Sequence, residues 1–361
     1  MAVLWMVVLA GLVVVAVIAI STVLGWDARL ASAAEPTAAT EPTSTVPPTE
    51  PGGSTGAAGI PIADVASAIV AAPLIGSASS PAVESIVPSA LADVSATTGV
   101  TLGKVGEATF HSNILDRDLL YRIYLPPGYE SSSQRYPVLY LLHGNGTDVF
   151  AEWTDANRIG VIADAEIAAG KIQPMIIVMP DGEHSYFMNH FGDGERWQDY
   201  LLDEFMPFVD ANFRTIPDRA HRTIGGHSMG GTAALMLAFE HPELFVAVGA
   251  HSPSLHWTSE GGPEYFGPND YYAQYNPLEL AKTAQGLDTL RIWVDYGDED
   301  PWLPAGEILQ PTLESRGIDP LWHIYAGNHY TSYWIDHGPE YLEYYSAAMA
   351  GSTITTGLVP V

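Results

Sequence analysis

From residue 101 to residue 350, short runs of β-branched and aromatic residues alternate with amphipathic stretches. The runs read "LLYRIYLP", "VLYLLHG", "MIIVMPDG", "HRTIGGHS", "FVAVGAHS", "LRIWVDYG" and "LWHIYAG". Several are continuously apolar, as expected for strands that helices cover on both faces. Between the third and fourth runs, apolar residues recur at helical spacing, at Leu202, Phe205, Met206, Val209 and Phe213. The pattern predicts one α/β domain over 101–350, with a mostly parallel central sheet and helices on both faces.

The chain begins with a long apolar segment. Residues 2–24, "AVLWMVVLAGLVVVAVIAISTVL", contain no charged side chain, and a helix rising about 1.5 Å per residue over this length spans a bilayer core. We therefore expect a membrane-inserted apolar helix over 1–26. The small residues "ASAA" at 31–34 leave cleavage open, but the apolar stretch exceeds the core of an ordinary signal peptide, which favours a retained anchor. Either outcome predicts an extracytoplasmic protein, anchored by residues 2–24 or secreted.

A change of composition separates this helix from the predicted domain. Residues 27–58, as in "EPTAATEPTSTVPPTEPGGSTG", have too few large apolar groups to offset the entropy lost on ordering. Residues 59–100 are rich in Ala, Ser and Val and carry no motif. We expect a disordered, low-complexity linker over 27–100, and a short C-terminal tail over 351–361.

Charge and cysteine content exclude several classes of function. The 361 residues include 14 Lys plus Arg against 42 Asp plus Glu, which gives a formal net charge of −28. A basic surface for a phosphate backbone is missing, so nucleic acid is not an expected partner. The chain has no cysteine, which excludes disulfides, thiol nucleophiles and thiolate metal sites.

A serine between glycines follows the fourth apolar run. The stretch from Gly226 to Gly230 matches G-x-S-x-G around Ser228, although this match alone is weak in a chain with 34 glycines. The run "HRTIG" before it and the helix-forming "GTAALMLAFEH" after it supply the strand, sharp turn and helix of a nucleophile elbow. Ser228 is therefore the predicted nucleophile. A helix-capping serine, the alternative, leaves the flanking glycines unexplained.

A serine nucleophile of this kind needs a carboxylate and a histidine farther along the chain. The stretch "RIWVDYGDEDPWLP" opens into an acidic loop, where four carboxylates compete for the role: Asp295, Asp298, Glu299 and Asp300. The acid usually lies a few residues past the glycine that ends the strand. This favours Asp300, with Asp298 in reserve.

Two histidines compete for the role of base in "WHIYAGNHYTSYW". His323 lies inside the predicted strand, whereas His329 follows the glycine in a loop, from which its imidazole reaches over the edge of the sheet. We assign His329 as the base. Three further histidines near the predicted site are interpreted as structural or rim residues: His227, His251 and His256.

The oxyanion of a tetrahedral intermediate needs hydrogen-bond donors, usually backbone amides. One is the amide of Met229, directly after the nucleophile. The other is expected from the "HGNG" loop that follows the second apolar run. Gly144 lets that backbone turn toward the site, which favours the Asn145 amide, with Gly146 as the alternative.

Together these segments resemble the esterase family of α/β-hydrolases that contains feruloyl esterases, S-formylglutathione hydrolases and mycolyltransferases. The resemblance spans residues 105–346 and depends on "YLPPGY", "YPVLYLLHG", "VMPDG", "GGHSMGG", "YGDED" and "GNHYTSYW", in the order of the family. It implies the α/β-hydrolase fold and no cofactor. It also implies a nucleophile, acid, base and pair of oxyanion amides at Ser228, Asp300, His329, Asn145 and Met229.

Aromatic residues near the predicted site are candidates for substrate binding. They are expected to line an acyl or sugar pocket, with ordinary core packing as the alternative for each, and they are Tyr186, Phe187, Phe191, Trp197, Trp257, Trp302 and Trp334. A metal site at His184, His190 and Asp193 is disfavoured because their spacing matches no ligand pattern.

The favoured function is a serine carboxylic ester hydrolase that acts through an acyl-enzyme, with small-molecule esters or acyl and feruloyl esters of carbohydrates as substrates. One alternative is an acyltransferase, similar to mycolyltransferases, that passes the acyl group to a sugar alcohol at the cell envelope. The other is a non-catalytic wall or adhesion module on the same scaffold.

Overall fold

Residues 84–85, 102–146 and 149–352 are described by the structure, a computed structural model. The predicted apolar helix at 1–26 lies outside these residues, as do almost all of the predicted linker and most of the predicted tail. The described residues all belong to one unit of the chain, Ser79–Val361. Within it, no helix among the described residues has the length and apolar character needed to cross a membrane.

Nine strands among the described residues form one sheet. They are β1 (Glu84–Ser85), β2 (Lys104–Ser112), β3 (Arg117–Leu125), β4 (Val138–Leu142), β5 (Ile176–Pro180), β6 (Arg222–His227), β7 (Ala247–His251), β8 (Arg291–Gly297) and β9 (Leu321–Tyr325). Their order across the sheet is β1-β2-β3-β5-β4-β6-β7-β8-β9. The pairs from β1 to β5 are antiparallel, and every pair from β5 through β4 to β9 is parallel.

Helices connect the strands. They are α1 (Ile159–Ala168), α2 (Trp197–Asp199), α3 (Met206–Asn212), α4 (Met229–Glu240), α5 (Asn269–Tyr272), α6 (Pro277–Thr283), α7 (Leu303–Glu314) and α8 (Thr331–Met349). Two π-helical turns occur within the described ranges, at Glu152–Ala156 and Tyr200–Phe205, and the second joins α2 to α3. The same ranges contain five short 3-10 turns, at Tyr129–Ser131, Val149–Ala151, Arg219–His221, Glu264–Phe266 and Leu287–Thr289.

Strand β4 shows how the sheet separates two cores. Val138, Tyr140 and Leu142 belong to one buried cluster, together with residues of α3, α4, α6 and α7. Leu139 and Leu141 belong to a second cluster with residues of α1 and α8. Because successive side chains of a strand point to opposite faces, helices cover this strand on both sides. This confirms the predicted mostly parallel sheet with helices on both faces, and it explains the continuously apolar runs.

The seven predicted runs correspond to β3 to β9, and the pattern missed the two strands at the N-terminal edge. Strand β2, "KVGEATFHS", is largely half-buried and mixes polar with apolar residues, so it lacks the apolar run of a strand that is covered on both faces. Strand β1 pairs with β2 although Glu84–Ser85 falls inside the segment predicted as linker.

Candidate active site

Ser228 lies at a sharp turn between β6 and α4. Its backbone has φ 53° and ψ −120°, a conformation that non-glycine residues adopt at a cost and that clusters at functional sites. Three backbone hydrogen bonds hold the turn. The Ser228 N–H donates to the carbonyl of His251 at 3.0 Å, and the Ser228 carbonyl accepts the N–H groups of Thr232 at 3.0 Å and Ser254 at 3.1 Å.

The glycines around Ser228 allow close backbone packing. A Cβ atom on Gly226 would lie 2.6 Å from the carbonyl oxygen of Gly230, and a Cβ on Gly230 would lie 2.3 Å from that of Leu142. Both contacts are too short for any side chain larger than hydrogen. The sequence G-x-S-x-G is therefore needed here for α4 to pack directly against the end of β4.

The predicted serine, histidine and aspartate meet at one edge of the sheet. The Ser228 Oγ lies 2.8 Å from Nε2 of His329, and Nδ1 of His329 lies 2.9 Å from Oδ2 of Asp300. The other carboxylate oxygen of Asp300 accepts the Trp302 N–H at 2.8 Å. Asp300 is buried. The arrangement can pass a proton from Ser228 to His329 while Asp300 holds the imidazole.

Asp298, the reserve candidate for the acid, connects the two loops that carry Asp300 and His329. Its carboxylate accepts the Gly327 N–H at 2.9 Å, and its own N–H donates to the Tyr325 carbonyl at 2.7 Å. The Glu299 N–H adds a bond to the Gly327 carbonyl at 2.8 Å. The structure therefore uses Asp298 and Glu299 to join the loops, and it brings Asp300 to the histidine.

Asp295, the remaining carboxylate, is fully buried in β8. It accepts four hydrogen bonds from side chains, at 2.7 to 2.9 Å, from His251, Trp293, Tyr333 and Tyr341. Burial raises its pKa, but the neighbouring His251 and the hydroxyl donors outweigh burial and hold the pKa below its usual range. Burial lowers the pKa of His251. Both shifts oppose protonation of the cluster in the folded protein.

The loop after β4 carries the Asn145 amide, the predicted second oxyanion donor. The Gly144 carbonyl accepts the Nδ1–H of His143 at 2.8 Å, and Nε2 of His143 accepts the Gly182 N–H at 2.9 Å. Burial lowers the pKa of His143, consistent with a neutral ring. In a planar trans peptide the Asn145 N–H points opposite to the Gly144 carbonyl, so His143 also fixes the direction of that amide. Sequence analysis did not single out His143.

The amide of Met229, the other predicted donor, is at the first position of α4. The first amides of a helix have no partner within the helix, which leaves this N–H available beside Ser228. The Asn145 side chain is held separately, with its Oδ1 2.6 Å from Nδ1 of His184. Gly146, the alternative donor, lies at the exposed end of the described part of this loop.

Three of the predicted substrate-binding aromatics pack in the interior, and a fourth, Tyr186, is also buried. Phe187 packs beside the ring of His143 at 5.4 Å. Trp197 lies beneath the guanidinium of Arg117, 4.7 Å from the ring centre. Trp334 stacks on His227 at 4.1 Å and meets the ring of His329 edge-on at 5.1 Å, so it packs against the predicted base.

Two others lie within a polar cluster near the elbow. The Tyr186 hydroxyl is 3.0 Å from Oγ of Ser254 and 3.2 Å from Nε2 of His256. The ring of His256 lies 5.1 Å from that of Trp302. Since Ser254 also binds the Ser228 carbonyl, the cluster directly adjoins the nucleophile.

The last two predicted aromatics are exposed. Phe191 is 46% and Trp257 is 61% exposed. Tyr330, which sequence analysis did not select, is 66% exposed and directly follows His329. Its position next to the predicted base in the sequence is the signal that identifies it.

The disfavoured metal ligands do not converge. His190 lies 2.9 Å from Asp193, while His184 is held by Asn145. Within the described ranges, no group of three or more His, Cys, Asp or Glu side chains is arranged to hold a metal ion.

Known sequences are similar to the region of the chain that carries this site. A family model described as "Putative esterase" matches residues 112–354. An endo-1,4-beta-xylanase/feruloyl esterase of Xylanibacter ruminicola is 36% identical over 152 residues, covering 40% of this chain and 20% of the relative. An esterase of Mycobacterium tuberculosis is 36% identical over 241 residues, covering 57% of this chain and 51% of the relative. The chain thus spans at most about half the length of these relatives.

Solved structures are similar to the same region. A ferulic acid esterase superposes with a TM-score of 0.63 at 25% identity, over 69% of this chain and 99% of that one. An S-formylglutathione hydrolase from Agrobacterium tumefaciens gives a TM-score of 0.59 at 19% identity, over 68% and 96% of the two chains. The similarity to the second shows the shared fold alone.

Proposed function

Because the chain belongs to the esterase family whose model it matches, we propose that it is a serine carboxylic ester hydrolase that acts through an acyl-enzyme. One observation carries the proposal. The Ser228 Oγ, the imidazole of His329 and the carboxylate of Asp300 form a continuous hydrogen-bonded chain, with distances of 2.8 and 2.9 Å. The strained backbone of Ser228 supports the same role, because it turns the hydroxyl out of the strand.

In the first half of the reaction, Ser228 Oγ attacks the ester carbonyl while Nε2 of His329 takes the hydroxyl proton. The bond from Oγ to the acyl carbon forms, and the carbonyl electrons move onto oxygen. Asp300 holds the imidazole in the correct tautomer and stabilises its positive charge. The amides of Asn145 and Met229 bind the oxyanion. His329 then returns the proton to the leaving alcohol as the ester bond breaks.

In the second half, water replaces the alcohol. His329 takes a proton from the water, whose oxygen attacks the acyl carbon, and the same two amides bind the second oxyanion. The bond to Oγ breaks, and the proton on His329 restores the Ser228 hydroxyl. The products are a carboxylic acid and the free enzyme.

The proposed substrates are acyl or feruloyl esters of carbohydrates. The names of two similar proteins, a feruloyl esterase and a ferulic acid esterase, support the aromatic acyl group. The exposed rings of Phe191, Trp257 and Tyr330 support binding of a flat acyl group or a sugar face.

The test compares wild type with Ser228→Ala. Wild type is expected to hydrolyse p-nitrophenyl acetate and methyl ferulate and to be labelled by a fluorophosphonate probe, and the variant is expected to do neither. An unchanged rate in the variant would remove Ser228 from the mechanism. Absence of both activity and labelling in wild type would favour the non-catalytic module. Product analysis with and without a sugar alcohol distinguishes hydrolysis from acyl transfer.

We also propose an extracytoplasmic location, with residues 2–24 as a retained membrane anchor. The uncharged sequence of this segment supports the proposal. Cell fractionation and the intact mass of the exported protein test it, because loss of the first 30 or so residues would indicate cleavage after a signal peptide.

A further inference from the structure

The backbone amide of Gly144 is bound by the side chain of Glu152. Glu152 begins the π-helical turn that follows the loop after β4. Its Oε2 accepts the Gly144 N–H at 3.1 Å, and its side chain is only 19% exposed. Glu152 therefore binds the backbone N–H of Gly144, while His143 binds the backbone carbonyl of the same residue.

The same carboxylate oxygen of Glu152 faces His227, the residue before the nucleophile. Nε2 of His227 lies 3.1 Å from it. The imidazole is 1% exposed and fixed between two indoles, with ring centres 4.8 Å from Trp153 and 4.1 Å from Trp334. The two indole rings fix the position of the imidazole. The Glu152 carboxylate, which packs against the imidazole, is fixed with it.

The fit around Gly144 is close. A Cβ atom on Gly144 would lie 2.7 Å from Cε1 and 3.0 Å from Nδ1 of His227, and 3.2 Å from Oε2 of Glu152. The loop backbone therefore rests directly on the Glu152–His227 pair. Burial raises the pKa of Glu152, but His227 and the Gly144 amide outweigh burial and lower it below the usual range, so the carboxylate is charged when it accepts the amide.

We propose that Glu152 and His227 are positioning residues that hold the oxyanion loop, an inference that rests on the proposed function. Glu152 fixes the peptide before Gly144, and His143 fixes the peptide after it. With both planes fixed, the Asn145 N–H has one direction, toward the oxyanion of the intermediate. His227 packs against the carboxylate, with Nε2 3.1 Å from Oε2 of Glu152, and through the chain it links the loop to Ser228. Neither side chain touches the reacting atoms.

The experiment uses Glu152→Ala, Glu152→Gln, His227→Ala and the double alanine variant in the full chain. Glu204→Ala is the matched control, since Glu204 also accepts loop amides, those of Asn113 and Ile114, at a different part of the sheet edge. Three quantities are measured. They are kcat and KM for p-nitrophenyl acetate, the affinity of a trifluoromethyl ketone, and hydrogen–deuterium exchange of the peptide containing Gly144. Ser228 Oγ adds to the ketone carbon and its proton passes to His329, which produces an oxyanion at the site.

Glu152→Ala is expected to lower kcat about 10- to 100-fold with KM little changed, since misplacing one oxyanion donor costs this much. The ketone affinity should fall by a similar factor, and the Gly144 amide should exchange faster. Glu152→Gln keeps an acceptor oxygen and should recover most of the loss. The double variant should lose no more than the larger single variant, because the two residues act as one unit. Glu204→Ala should lower stability and leave kcat and ketone affinity unchanged.

The inference is overturned if Glu152→Ala keeps wild-type kcat and ketone affinity, or if Glu204→Ala loses both equally. Failure of the proposed function gives a different result. Wild type would then neither turn over ester nor bind the ketone, and unchanged exchange of the Gly144 amide in Glu152→Ala would still reject the role of Glu152 in holding the loop.

Discussion

Asp300 and His329 meet at 2.9 Å although they follow different strands, β8 and β9. Asparagine at position 300 keeps the size of the side chain but offers an N–H where the histidine needs an acceptor. We predict that Asp300→Asn lowers kcat about 10³- to 10⁴-fold, because the imidazole is held in the wrong tautomer. KM should change little. Steady-state kinetics with p-nitrophenyl acetate measure both.

Asp298→Asn is the matched control. The amide oxygen of asparagine can still accept the Gly327 N–H that Asp298 accepts, so this variant should keep most of its activity. Equal losses at positions 298 and 300 would mean that the carboxylate of Asp300 has no special role in orienting His329.

Trp257 is predicted to bind the substrate rather than to stabilise the fold. Its side chain is 61% exposed, and it follows His256, whose ring packs near that of Trp302. The Trp302 N–H donates to Asp300. Trp257→Ala should raise KM for methyl ferulate about tenfold, as expected for the loss of one aromatic contact of about 1.4 kcal/mol. The melting temperature and the rate with p-nitrophenyl acetate should stay near wild type. Trp197→Ala, which removes a buried ring, should instead lower the melting temperature.

The strands and the elbow were predictable because their signals are local. Short runs rich in β-branched and aromatic residues, several of them continuously apolar, identify β3 to β9. Glycines on both sides of Ser228 identify the turn. The order of serine, acid and histidine then restricts the remaining choices to a few residues in two loops. Asp300 and Asp298 are only two positions apart. The hydrogen bond between Asp298 and Gly327, which distinguishes them, cannot be predicted from the sequence.

The roles of Glu152 and His143 could not be predicted from the sequence, because each side chain binds backbone groups whose positions depend on the folded loop. Glu152 binds a backbone amide eight positions earlier, through a loop and a π-helical turn that leave no periodic signal. Asp295 was different. A carboxylate in the middle of the apolar strand "RIWVDYG" must find buried donors. Tyr333 and Tyr341 of α8 supply two of the four, and their alignment with Asp295 depends on how α8 packs on the sheet.

Asp295→Asn is predicted to destabilise the fold strongly. The carboxylate accepts four hydrogen bonds, two of them from Tyr333 and Tyr341 on α8. In asparagine an NH2 group replaces one of the two carboxylate oxygens. This group is itself a donor, so the side chains that donate to that oxygen lose their acceptor and remain buried without a partner. We expect a loss of about 3 to 5 kcal/mol in the free energy of unfolding, measured by urea denaturation. A loss under about 1 kcal/mol would mean that the cluster contributes little.

The same cluster predicts acid sensitivity. The folded-state pKa values of Asp295 and His251 both lie below their usual values, so the folded protein binds fewer protons than the unfolded chain. Stability should therefore fall as the pH decreases, first below about pH 6.5 from His251 and then below about pH 4 from Asp295. Urea denaturation of Glu240→Gln between pH 7.5 and about pH 3 measures the trend, because this variant lacks the opposing titration of Glu240. Stability that rises in this variant as the pH falls would contradict the prediction.

Glu240, at the end of α4, should have the opposite effect on stability: its contribution increases as the pH falls. Burial raises the pKa of its carboxyl to about 7, although a hydrogen bond from Gln198 lowers it in part. The folded protein therefore holds a proton that the unfolded chain releases near pH 4.5, and stability from this group is lost as the pH rises from about 4.5 to 7. Glu240→Gln removes that loss and still accepts the Gln198 amide. The variant should match wild type near pH 4.5 and exceed it by about 1 to 3 kcal/mol at pH 8. Glu243→Gln, at an exposed neighbouring position, controls for the change in net charge. If the stability difference between Glu240→Gln and wild type stays constant from pH 4.5 to pH 8, titration of the Glu240 carboxyl does not cause that difference.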